Sequence, residues 1–167
     1  MSTDVSMKSE EIERLTFGPS DYDNRVFRIE IVALCEGNSL DVLEKTKEVL
    51  KRVIDCELAF DDPIDDWKRV LPEWFVDACS PELSKQEAER ILKSENGFAI
   101  LANMWSVAGF VDCFRPEQRS WYWFDGVVKD TNTLVVQVLV DGFPFSWEEL
   151  EFLLRVAGAH NVENLDD

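Results

Sequence analysis

The sequence predicts an α+β fold in a single domain: an antiparallel sheet of three to five strands with helices packed on it and a helical insertion at about 57–96. Three observations carry this expectation. Residues 120–128 and 133–140 are β-branched and aromatic runs joined by Asp130-Thr131-Asn132, the composition of an antiparallel hairpin. Residues 26–35 alternate, with Phe27, Ile29 and Ile31 opposite Arg28 and Glu30, then turn apolar throughout, as a strand that ends buried does. Residues 39–55 and 146–158 carry apolar stripes at helical spacing between recognisable ends.

In chain order, residues 1–24 are polar and predicted to be loosely held, with at most a short helix over Ser9–Leu15 that stops near Gly18, and a turn over Asp21–Asn24. After the first strand, Ser39 is a suitable N-cap for the helix to about Asp55. Leu43, Leu50 and Ile54 form its inner stripe, and Asp41–Lys45 and Glu48–Arg52 pair at i,i+4 on its outer face. Residues 57–66 are an acidic connector. A helical stretch around Trp67–Leu71 follows, and Pro72 can open another through Phe75. Ser84 and Glu87 spell a capping box, and Asn96-Gly97 ends the helix that it starts. Residues 98–114 are apolar without clean periodicity; Phe110–Arg115 reads as a strand, and Phe98–Trp105 is open between buried strand and buried helix.

In the hairpin, Leu134, Val136, Val138 and Val140 share the core face. The last helix is the best specified: Ser146 and Glu149 for a capping box, Phe145 and Leu150 for a hydrophobic staple, Gly158 for the stop. The expected organisation is a polar segment at 1–24, the α+β domain at 25–160 and a frayed acidic tail at 161–167.

Charge decides which functions to expect. The chain has 34 acidic residues against 17 basic ones, a net charge of −17, yet six Trp and eleven Phe. That combination describes a folded protein whose surface repels nucleic acid and attracts basic partners; no membrane contact is expected. One histidine, His160, leaves little acid–base chemistry at neutral pH, and no nucleophile elbow or phosphate-binding glycine loop accompanies it. Cys35, Cys56, Cys79 and Cys113 are widely spaced with no C-x-x-C pair, so they read as core thiols. No apolar run is long enough to span a membrane and no signal peptide is evident, which points to the cytoplasm. The expectation is a protein without catalytic residues, metal or cofactor.

The candidate contact residues are of two kinds. Asp61, Asp62, Asp65 and Asp66, with Glu148, Glu149 and Glu151 on the last helix, form the acidic set. The letters D-D-x-x-D match a magnesium motif of prenyl-diphosphate enzymes, but Pro63 interrupts the helix that motif requires, and the calcium-loop glycine is missing. Trp121, Tyr122, Trp123 and Phe124 form the aromatic set. On a regular strand two of the four face each side; if one side is core, the other is either covered by the helical insertion or offered to a partner. Few bases surround them, which argues against a nucleobase platform.

In size, acidity and aromatic content the chain resembles bacterial immunity proteins that neutralise basic nuclease toxins, a resemblance of composition and size. It implies an acidic module that binds and neutralises or regulates a basic protein, a toxin or nuclease-like partner. A nucleic-acid charge mimic that blocks a DNA-binding protein, and an enzyme of unrecognised type, are the alternatives; homo-oligomerisation stays open.

Overall fold

The computed structural model describes residues 2–20 and 27–166; the turn expected at Asp21–Asn24 lies outside them. The fold is α+β. Strands β1 (Arg28–Leu34), β2 (Trp121–Asp130), β3 (Thr133–Val140) and β4 (Asn161–Asn164) form one antiparallel sheet in the order β2-β3-β1-β4. Register puts Ile29 opposite Val138 and Ile31 opposite Val136, so the apolar positions of both strands fall on one fully buried face. Helices α2 (Ser39–Ile54) and α8 (Glu148–Ala157) pack against each other over it, burying Leu43, Leu50, Leu150 and Leu154.

Between β1 and β2 run five short helices: α3 (Ile64–Val70), α4 (Glu73–Ala78), α5 (Lys85–Leu92), α6 (Gly97–Ala102) and α7 (Val107–Asp112). The helical insertion therefore extends past residue 96, and the strand expected at Phe110–Arg115 is instead α7 and its C-terminal turn. The Ser106 hydroxyl accepts the Gly109 N–H at 3.0 Å and caps α7. Val107, Phe110, Val111 and Phe114 are buried at i, i+3, i+4 and i+7.

Both chain ends hold more structure than expected. Helix α1 (Ser2–Phe17) is twice the predicted length and buries Leu15. It also closes the edge of the sheet. Buried Glu11 accepts the Trp123 backbone N–H at 2.7 Å, while Arg14 Nε donates to the Trp123 carbonyl at 2.9 Å. Two side chains thus occupy the backbone groups that a further strand would use, which blunts an edge otherwise open to aggregation. At the other end, the expected frayed tail forms β4. Val162 faces Ala33 and is buried, and the His160 N–H donates to the Leu34 carbonyl at 2.9 Å. A four-residue strand is too short for its alternation to stand out in sequence.

The start of α8 departs from its expected form. Its N-cap is Trp147 with no side-chain cap, and the Ser146 hydroxyl donates to Glu148 Oε2 at 2.7 Å instead of capping. Glu149, the expected partner of Ser146, turns inward to accept the Trp121 indole N–H at 2.6 Å. The box at Ser84 and Glu87 does form, with both bonds present.

Candidate protein-binding surface

The acidic connector owes its shape to its own aspartates. Asp62 accepts the Ala59 N–H at 2.8 Å, and Asp66 pairs with Arg69 at 2.6 Å. Asp61 reaches Arg115 at 2.7 Å, and Arg115 also holds Asp112 at 2.8 Å. These bonds raise the Arg115 pKa. Asp65 points outward, exposed. The four aspartates therefore lie together on the surface, with two of them already partnered by arginine.

Similar pairing recurs elsewhere on the surface. Among the described residues Arg14, Lys45, Arg52, Arg69, Arg115, Arg119 and Arg155 each pair with a carboxylate of this chain. Exposed Glu57, Asp65, Glu73, Asp77, Glu117 and Asp141 have no basic partner among the described residues. Lys8, Lys47, Lys51, Lys68 and Lys129 form no ion pair among the described residues, so the negative outward field follows from the surplus of 34 acids over 17 bases rather than from complete pairing of the bases.

The acids of α8 divide. Glu148 is exposed, and the Ser146 hydroxyl holds its pKa below the ordinary value. Glu151 pairs with Arg155 at 2.8 Å. Glu149 is only 5 % exposed and burial raises its pKa, so it belongs to the interior and cannot meet a partner.

Nor do the four consecutive aromatics split two and two. The register against β3 jumps between Trp123 and Asp125, a β-bulge that leaves Phe124 as the extra residue. Trp121, Trp123 and Phe124 are all buried, Phe124 beneath the Arg28 guanidinium at 4.7 Å. Tyr122 is half-buried under the Arg119 guanidinium at 4.5 Å. The exposed aromatics lie elsewhere. Phe27 and Phe143 meet edge to face at 5.6 Å, and Phe145 stands 5.7 Å beyond Phe143. Beside them Met7, Leu139 and Val140 line a pocket of about 200 Å³ whose walls also carry Glu10, Arg14 and Asp141. The sequence signal was the Phe-Pro-Phe run at 143–145, legible only as a staple for α8.

Other chemistry finds little to work with. All four cysteines are free; burial pushes the Cys113 thiol up to about 12 and the Cys79 thiol up to about 11, so both are protonated and weakly nucleophilic at neutral pH. His160 sits exposed at the start of β4, its backbone committed to the sheet. Among the described residues no group of three or more His, Cys, Asp or Glu could hold a metal ion, and no helix is long and apolar enough to cross a membrane. Comparison with protein-family models, curated proteins and solved structures returns no match.

Proposed function

We propose that this protein is an acidic protein-binding module that neutralises or regulates a basic protein, most concretely an immunity-type inhibitor of a cognate toxin. The observation that carries this reading is the surplus of acid: 34 acids face 17 bases, and exposed Glu57, Asp65, Glu73, Asp77, Glu117 and Asp141 have no basic partner among the described residues, under a net charge of −17. Such a surface accelerates encounter with a basic partner and disfavours acidic ones. Phe27 and Phe143, beside Glu10 and Asp141, supply apolar anchors with acids at their rim. A cytoplasmic location accords with four unpaired thiols. The charge-mimic alternative gains no support from α2, where Lys45 and Arg52 neutralise the acidic row at Asp41 and Glu48.

The test is binding to the product of the adjacent gene, since toxin and immunity genes are encoded side by side. Association should be fast at low salt, slow markedly as the Debye length falls to about 8 Å, and slow further when Glu10, Asp65 and Asp141 are neutralised together. An adjacent product that is not basic, or an association rate indifferent to both salt and these substitutions, would overturn the proposal.

A further inference from the structure

Residues 81–104 form a helical hairpin that projects from the body. Ser80 and Ser106 pair at its base, where the Ser80 N–H donates to the Trp105 carbonyl at 2.7 Å. Beyond that base, Gly97 is the sole buried residue. Gly97 is required by close approach: a Cβ there would lie 1.9 Å from the Ile91 carbonyl oxygen of α5, and Asn96 before it takes φ 59° to make the turn. The two helices therefore pack tightly on each other, yet α6, Gly-Phe-Ala-Ile-Leu-Ala, has no polar side chain and lies mostly in solvent. Phe98 is 78 % exposed, Leu92 53 % and Ile100 45 %. An exposed apolar patch of this kind marks an interaction site.

Charge identifies the occupant. The hairpin holds Lys85, Arg90 and Lys93 against Glu82, Glu87, Glu89 and Glu95, so it is nearly neutral in a chain of −17. Among the described residues its three bases form no ion pair, so all three are available to an acid of another chain. Unpaired lysines and arginine would repel a basic protein. A surface carrying both signs around apolar side chains suits an identical surface turned through a two-fold axis, where each base can face an acid of the other copy.

We infer that the hairpin at 81–104 is a self-association surface: two copies pair hairpin to hairpin, covering Leu92, Phe98 and Ile100 and matching Lys85, Arg90 and Lys93 with Glu89 and Glu95 across the axis. The inference is independent of the basic partner, which the body serves. A specific dimer must remove about 600 Å² per copy from water, and an interface this small should dissociate in the micromolar range.

Sedimentation equilibrium of the full chain from about 1 µM to about 500 µM spans that range. The wild type should shift from monomer to dimer, and Phe98→Glu should weaken the dimer at least about tenfold with the circular dichroism and the melting temperature of the dilute monomer unchanged. Two further variants test the pairing: one carries Lys85→Glu, Arg90→Glu and Lys93→Glu, the other Glu89→Lys and Glu95→Lys. Each alone should stay monomeric, and their equimolar mixture should form a heterodimer. A wild type that remains monomeric throughout overturns the inference, including one that partitions onto phosphatidylcholine vesicles instead. So does a dimer indifferent to Phe98→Glu, or a mixture that fails to pair.

Discussion

Strand β2 and helix α6 are both dense in apolar side chains, and their fates are opposite. Trp121, Trp123 and Phe124 disappear into the body because β2 is enclosed by α2 and α8 on its inner face and by α1 along its edge. Phe98 and Ile100 stay in solvent because α6 packs chiefly on α5. Composition alone states how much apolar surface a segment brings; what the chain sets against it decides burial. The division assigns stability to the body and leaves the hairpin for contact.

The sharpest way to break this contrast is at the buried pair joining α1 to the sheet. Arg119, 10 % exposed, donates to the fully buried carboxylate of Glu11 and to the Trp121 carbonyl. Arg119→Ala strands that carboxylate and should cost about 3–5 kcal/mol in urea denaturation. Next, Leu150→Ala, in a fully buried site on α8, should cost about 2–5 kcal/mol. At the hairpin, Ser84→Ala removes a formed cap and should cost about 1 kcal/mol of local helix stability, read by amide exchange in α5. Phe98→Ala should change global stability by less than about 0.5 kcal/mol. If it unfolds the protein to the extent that Leu150→Ala does, the hairpin belongs to the core and the contrast fails.

Glu149 tests the interior through pH. Burial raises its folded pKa above the unfolded value, so its contribution favours folding in acid, below the unfolded value, and is lost as pH rises through the folded one. Glu149→Gln can still accept the Trp121 N–H and carries no charge. The variant should match the wild type in acid and become the more stable protein as pH climbs past the carboxylate range. A difference in melting temperature that stays flat with pH would place Glu149 in solvent.

Much of the fold was legible because local rules and tertiary packing agree there. The stripe of α2, the alternation of β3, the turn at Asp130–Asn132 and the Ser84 box each follow from short-range pattern. The errors fall where a distant partner overrides that pattern. Ser146-x-x-Glu149 has the letters of a cap, but the Trp121 indole, remote in sequence, claims the glutamate. The bulge at Phe124 is set by pairing with β3, and α1 gains its length by docking on β2. For α7 the 107, 110, 111, 114 spacing was present but masked by apolar neighbours. The candidate surface was less legible still: the acidic loop could be named from sequence, whereas Phe27 and Phe143 become neighbours only when the start of β1 meets the loop after β3.

Residue-resolved amide hydrogen exchange at two protein concentrations tests most directly the claim that the body is self-sufficient and the hairpin awaits a second copy. Amides of β3 should exchange only through global unfolding and stay the most protected at both concentrations, slowing only by what dimerisation adds to global stability, whereas amides of residues 85–102 should exchange rapidly in dilute protein and gain protection as concentration rises. Protection of residues 97–102 that equals that of β3 and ignores concentration would contradict the account.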